Sequence, residues 1–283
     1  MEKSVWVRQA AAFVREAADN ALSPEKALAP ELAGMRIYDA PIFAFGAADD
    51  PWFERLREPA AVGPHFQLPS RWLPQAKTVI SFFLPFSSAV RESNRGADAP
   101  SPAWLQSRLE GQAFLKRFVR HLAQTLEANG FAALVPGQDD RYWNTETAEE
   151  AAAHGAPCFT SNWSERHVAF VCGLGTFGLS GGLITAKGMA GRFGSIVTSW
   201  DVPPDVRGYT GPYDYCIRCG ACVRRCPVHA VHPDAPKEHA SCKQVLDRFE
   251  PHGACGKCQT AVPCEAASPS AAGTLKERFP QTP

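Results

Sequence analysis

Eight of the chain's ten cysteines fall between positions 216 and 264. A segment so dense in thiols cannot fold as an ordinary apolar core, because its shape is dictated by what the sulfurs are joined to. The N-terminal stretch "MEKSVWVRQAAAFVREAADNAL" has neither the continuous apolar run of a secretory leader nor a twin arginine, so a cytoplasmic location is expected. In a reducing compartment, clustered cysteines ligate metal before they form disulfides. Cys158 and Cys172 stand apart and are expected to be small buried apolar residues.

Within the dense segment, "CIRCGACVRRCPVHAV" sets Cys216, Cys219, Cys222 and Cys226 at the spacing C-x2-C-x2-C-x3-C, followed by Pro227. Bacterial ferredoxins use this run for 4Fe-4S clusters. Three thiolates at three-residue intervals wrap one face of a cubane, and Gly220 and Ala221 are small enough for a tight turn around it. The fourth cysteine points away and serves a second cluster. Zinc favours paired C-x2-C knuckles, which a triple run ending in Cys-Pro does not provide. The second half is irregular: Cys242, then Cys255 and Cys258 in "GACGKCQ", then Cys264, preceded rather than followed by proline. The ligands still close into two sets of four. Cys216, Cys219, Cys222 and Cys264 make one; Cys226, Cys242, Cys255 and Cys258 make the other. Crossed ligation of this kind holds two clusters close enough for rapid electron transfer.

The 283 residues suit one large domain at 1–205, a cysteine module at 206–268 and a tail at 269–283. The 29 basic and 29 acidic residues balance, which leaves no overall electrostatic footprint for a nucleic acid. "KTVISFFLPF" is the strongest strand, apolar on both faces and therefore central in a sheet; it is too short to span a bilayer. "APIFAFGAADD", "FAALVPG", "GLIT" and "GSIVTSW" are further strands. The N-terminus is predicted helical, with Val5, Ala12, Phe13 and Ala17 on its apolar side. A long helix is predicted over 102–129, where Trp104, Leu105, Leu109, Phe114, Phe118, Leu122 and Leu126 recur at helical spacing and Gly130 closes it. "TETAEEAAAHG" is a short helix ending at Gly155, and "SNWSERHVAFVCG" is a helix capped by Asn162 or Ser164. This alternation up to Trp200 argues an α/β layered domain.

"GLGTFGLSGG" carries a G-x-G-x-x-G in Gly173, Gly175 and Gly178. A dinucleotide site needs a helix directly after these glycines, so that its N-terminal amides hold the pyrophosphate. The following "LSGGLITAKGMAGRFG" contains five more glycines, each costing a helix about 1 kcal/mol relative to alanine. The helix fails, and the dinucleotide reading with it. His167, His229, His232, His239 and His252 are not at metal-ligand spacings with one another and read as ordinary surface or core residues.

Taken with the cysteines, "SERHVAFVCGLGTFGLSGGLIT" and "GSIVTS" resemble the cobalamin-dependent iron–sulfur reductases, which include epoxyqueuosine reductase and the reductive dehalogenases. The matching features are Glu165 and Arg166, the loop 173–178, the strand pair within 182–198 and the eight cysteines. The resemblance implies a nitroreductase-like α/β domain, a two-cluster ferredoxin-like module, and a corrinoid between them. It implies that Gly173, Leu174, Gly175, Thr176, Phe177 and Gly178 approach that corrinoid, the glycines through positive φ and close contact. The activity it implies is electron delivery through two 4Fe-4S clusters to a bound cobalamin, for reductive chemistry on a small organic substrate. Its expected partners are the corrinoid and an electron donor such as ferredoxin or flavodoxin. Tyr142 and Lys187 are the candidate proton donors.

The sequence departs from epoxyqueuosine reductase in having no acid in "PCFTSNWS" ahead of Glu165, where that family carries a proton-donating aspartate. It also ends nineteen residues after Cys264, with no counterpart of the helical extension that grips tRNA. These departures point to a short branch that does not act on tRNA. The alternative is a corrinoid-activating electron carrier without turnover of its own, using a basic patch at Arg218, Arg224 and Arg225.

Overall fold

The computed structural model describes residues 1–96 and 98–270. Most of the expected tail therefore lies outside the described residues. The helices are α1 (Lys3–Glu16), α2 (Pro51–Arg55), α3 (Pro69–Trp72), α4 (Ser88–Ser93), α5 (Pro102–Ala128), α6 (Ala148–His154), α7 (Glu165–Cys172), α8 (Ala221–Arg224) and α9 (His239–Asp247). The strands are β1 (Ile42–Ala47), β2 (Thr78–Pro85), β3 (Ala133–Leu134), β4 (Gly175–Phe177), β5 (Leu183–Thr185) and β6 (Gly191–Thr198).

β2 is buried at every position and lies inside a four-stranded sheet of order β1-β2-β6-β3. Ile80 faces Phe45 of β1 on one side and Ile196 of β6 on the other. Successive side chains of a strand leave on opposite faces, so an all-apolar strand needs cover on both. Phe43, Phe45, Ile80, Phe82, Leu84 and Ile196 enter the core beneath α1 and α5. Ala44, Val79, Phe83 and Val197 enter a second core with Val168, Ala169 and Val171 of α7. Every pairing in the sheet is antiparallel. The layered α/β expectation thus becomes a mixed α/β fold, because alternation of elements does not set strand direction when neighbours come from distant segments.

α5 begins at Pro102, with the Ser101 hydroxyl accepting from Trp104 N at 3.1 Å, and it ends against Asn129. Phe114, Phe118, Leu122 and Leu126 form its buried stripe, whereas Leu109 is 44% exposed and outside the core. In α1 the buried stripe is Trp6, Ala10 and Val14, not the one centred on Val5 and Ala12. The indole of Trp6 decides this rotation by stacking edge-on against Phe43 at 5.2 Å. α6 carries a capping box between Thr147 and Glu150 and ends in left-handed Gly155. "FAALVPG" forms only the two-residue strand β3. Cys172 is buried as expected, but Cys158 is exposed.

Beyond Trp200 the chain runs back over the α/β layer. Arg207 bonds Asp50 and the Val171 carbonyl, and Tyr209 donates to the Phe170 carbonyl. The cysteine segment then folds around a small core of Cys222, Cys226, Ala230, Val231 and Val262. Asn94, just after α4, holds it in place: its side chain donates to the Cys255 carbonyl at 3.0 Å, and its own carbonyl accepts from Lys257 Nζ at 3.0 Å. Among the described residues, no helix is long and apolar enough to cross a membrane.

Candidate metal centre

Two short turns build the centre. Cys219-Gly220-Ala221-Cys222 leads into α8, and Cys255-Gly256-Lys257-Cys258 leads into a single 3-10 turn. In each, the glycine takes a left-handed conformation that brings the flanking thiols to one side.

The eight cysteines line two separate hollows. One, of about 20 Å³, is lined by Cys216, Cys219, Cys222 and Cys264. The other, of about 190 Å³, is lined by Cys226, Cys242, Cys255 and Cys258. Burial pushes the Cys264 thiol up to about 12, with nearby Cys222, Cys216 and Cys219 adding to the rise. Burial likewise pushes Cys258 up to about 11; Lys237 opposes the rise, while Cys255, Cys242 and Cys222 add to it. The influence of Cys222 on Cys258 marks where the two sets approach each other. Among the described residues, no three His, Cys, Asp or Glu side chains converge as a single-ion site.

The larger hollow is also lined by Arg108 from α5, Arg192 from β6, and Lys237. Arg166, at the start of α7, donates to the Gly181 carbonyl at 2.8 Å, and its charge is felt at Cys258 and Cys242. Burial and the neighbouring Arg108 lower Arg192 to about 10. The side chain of Arg192 lies within hydrogen-bonding reach of the hydroxyl of wholly buried Tyr38. Of these groups, sequence reasoning had reached only Arg166. The one local signal for the rest is Arg192, the single charged residue of its strand.

The glycine loop does something other than the sequence suggested. Gly173 ends α7 in a left-handed conformation, and a Cβ on Gly175 would lie 1.9 Å from the Ile184 carbonyl oxygen of the β4–β5 hairpin. Leu174 and Thr176 are buried, Thr176 accepts from Tyr215 N at 2.8 Å, and the Phe177 ring packs on His167. Protein backbone therefore occupies the close approach at Gly175, whereas a Cβ on Gly173 would meet only Arg207 Cγ at 3.6 Å. Only Gly178 reaches a hollow, and it is the smaller cysteine-lined one.

Tyr142 and Lys187 line neither hollow. Tyr142 packs near Glu165 and Ser161, while Lys187 Nζ donates to the Ala40 carbonyl at 3.0 Å. Glu165 has a buried, unpartnered Oε2, and burial pushes its carboxyl up to about 7. Its neighbour His167 shares a 2.7 Å hydrogen bond with Ser164 and is lowered to about 4 by burial, then by Arg166.

Residues 212–232 match the family described as 4Fe-4S binding domain. No curated protein matches the sequence. Among solved structures, epoxyqueuosine reductase from Streptococcus thermophilus aligns at a TM-score of 0.54 and 16% identity, over 94% of this chain and 66% of that one. Epoxyqueuosine reductase with an epoxyqueuosine-modified tRNA-Tyr stem loop aligns at 0.50 and 18%, over 79% and 61%. A catabolic reductive dehalogenase in complex with 3-bromo-4-hydroxybenzoic acid aligns at 0.53 and 13%, over 94% and 36%. The chain thus spans under two thirds of the length of these structures. It shares the fold of epoxyqueuosine reductase and reductive dehalogenase, and it carries a segment of the 4Fe-4S binding family.

Proposed function

We propose that the chain is a cytoplasmic iron–sulfur oxidoreductase that carries electrons through two 4Fe-4S clusters to a reduction site in its interior. The observation that carries this reading is the division of eight cysteines between two hollows, four to each, with none shared. Four cysteines to each hollow is the ligand number of a 4Fe-4S cluster. Cys216, Cys219, Cys222 and Cys264 would hold the first cluster. Cys226, Cys242, Cys255 and Cys258 would hold the second.

The first set lies at the surface, where Ile217, Arg218, Cys219 and Arg224 are exposed. It is the side for docking an acidic donor such as ferredoxin or flavodoxin. Arg225 is less available, being tied to the carbonyls of Lys257 and Arg95. The second set shares its hollow with Arg108, Arg192 and Lys237. The fold shared with two reductases supports turnover of a small substrate over the carrier alternative. The balanced charge of the chain supports a small molecule rather than an RNA, whose phosphates call for many basic contacts.

A corrinoid is the electron acceptor that the sequence resemblance suggests. In the loop 173–177, Gly175, Thr176 and Phe177 pack on β5, Tyr215 and His167, whereas half-buried Gly173 has only the Arg207 side chain near it and would be the position to approach a corrinoid. The 190 Å³ hollow is smaller than the roughly 300–1,000 Å³ typical of pockets for drug-sized ligands. Retention of cobalamin by the protein tests whether a corrinoid binds. Cobalamin that stays with the protein through desalting would support it; loss of all cobalamin would remove it.

The central test is anaerobic reconstitution with iron and sulfide. About eight iron per chain, with the broad visible absorption of 4Fe-4S clusters, is the expected result. An iron content near four, or a tightly held zinc, overturns the two-cluster assignment.

A further inference from the structure

We infer that Lys237 and Lys257 set the direction of electron flow, by making the second cluster the stronger electron acceptor of the two. This deepens the two-cluster reading and rests on it. A 4Fe-4S centre gains one negative charge when it takes an electron, so positive charge and N–H donors at its sulfurs favour the reduced state.

Backbone amides serve both cysteine sets. The Cys226 sulfur accepts from Ala230 N at 3.2 Å, and the Cys222 thiol has the amides of its own turn. Interior cations distinguish the second set. Half-buried Lys237 lines its hollow and is hydrogen-bonded to Cys242. Lys257 stands between Cys255 and Cys258 in the chain and is 2% exposed, with its Nζ fixed by the carbonyls of Asn94 at 3.0 Å and Gly96 at 2.9 Å. Neither lysine makes a salt bridge among the described residues. Burial raises the Cys258 and Cys255 thiols, and Lys237 and Lys257 respectively oppose it.

No charged side chain lines the first hollow, whose walls include Leu179, Ile184, Met189, Ile217 and Val262. Met189 Sδ sits 3.2 Å from Cys264 Sγ, and a thioether has no proton to donate. The charged groups that act on Cys264 and Cys222 are other cysteines. Arg91 and Arg95 are taken up by Glu265. Two features work the other way: Cys219 alone of this set is exposed, and exposed Arg218 and Arg224 adjoin it. Water and salt screen surface charges, whereas interior ones keep their reach. The two lysines therefore prevail. One electron and no proton moves: the first cluster is oxidised as the second is reduced.

The test uses the full chain reconstituted to about eight iron, so that failure of the two-cluster reading is seen first. One electron per chain is added anaerobically with dithionite, and electron paramagnetic resonance locates it. Cys222→Ala, which should keep only the second cluster, and Cys226→Ala, which should keep only the first, supply the reference signals. The parent should show the Cys222→Ala signal. Lys237→Gln should lower the potential of that cluster alone, and cut its share of the electron relative to the first by about tenfold or more, at unchanged iron content. Lys237→Arg should restore most of the difference, and Arg218→Gln should match the parent. Lys257 stays in place, because it also anchors the Asn94–Gly96 segment. A first electron in the cluster kept by Cys226→Ala, equal filling of both, or unchanged potentials in Lys237→Gln each overturns the assignment. Should Lys237→Gln fail to load iron, the location of the first electron in the parent decides alone.

Discussion

Gly220 and Gly256 hold the same backbone conformation, φ 69° and ψ 4° against φ 68° and ψ 3°, one residue after Cys219 and Cys255 respectively. The two Cys-Gly-x-Cys turns are thus local copies of one device, although the loops around them differ in length and sequence. Their surroundings are not copies. A Cβ on Gly256 would lie 2.1 Å from the ring atoms of Trp104, whereas one on Gly220 would meet only the mobile end of Arg224 at 3.2 Å.

Gly220→Ala should therefore cost about 1–2 kcal/mol, the strain of a left-handed alanine. Gly256→Ala adds a clash with a buried indole and should cost about 3 kcal/mol or more. Denaturant unfolding of the reconstituted protein measures both. Equal losses would mean that Trp104 moves aside freely and that the second turn is not braced by α5.

Crossed ligation makes a non-additive prediction. Cys222→Ala and Cys226→Ala are four residues apart, yet they should empty different clusters and each leave about four iron. Cys222→Ala combined with Cys264→Ala should cost no more iron than Cys222→Ala alone. Cys222→Ala combined with Cys226→Ala should remove nearly all of it. Iron analysis beside the resonance spectrum of the surviving cluster decides the sets.

Much of this centre was legible because ligand spacing is local: the 216–226 run names its chemistry within eleven residues. The central position of β2 was legible too, since an all-apolar strand has few places to go. The function of the glycine loop was not. Its glycines are required by the backbone of β5 and by the end of α7, partners that spacing alone does not reveal. The cationic hollow was equally hidden, because Arg108, Arg192 and Lys237 meet only after α5, β6 and the cysteine module have come together. The exposed Cys158 sits beside left-handed Phe159, and no composition rule anticipates that turn.

Glu165 and His167 give stability opposing pH dependences. The folded Glu165 titrates near 7, above its ordinary 4.5, so between those values the unfolded chain has lost a proton that the folded chain retains. That contribution lowers stability as pH rises from about 4.5 to 7, by on the order of 3 kcal/mol in full. The folded His167 titrates near 4, below its ordinary 6.5, so its contribution raises stability as pH rises from 4 to 6.5. The two largely cancel up to about 6.5. Glu165→Gln should remove the falling part and leave a protein that gains stability through pH 6 and is more stable than the parent at pH 8. Denaturant midpoints across pH 4–8 check the sign, and a parallel profile for the variant and the parent would reject the raised carboxyl.

Glu265 is the last polar anchor between the α4 region and the cysteine segment. Its side chain, 6% exposed, receives Arg95 Nη2 at 2.7 Å, lies 3.7 Å from Arg91 Nε, and accepts from Ala261 N at 2.6 Å. It directly follows Cys264, and its own carbonyl accepts from the amides of Met189 and Ala190. Glu265→Ala removes the acceptor from the part-buried Ala261 amide and the carboxylate that pairs with Arg91, whose side chain is only 13% exposed, so a loss of about 3 kcal/mol is expected. Arg95 is half exposed, and Arg95→Ala should cost about 1 kcal/mol or less. The Glu265 change should also loosen Cys264 and release iron from the first cluster ahead of the second, leaving about four iron after a chelator challenge that the parent survives. Equal costs for the two substitutions, or simultaneous loss of both clusters, would show that the anchor acts through its surface ion pair and not through the buried turn that presents Cys264.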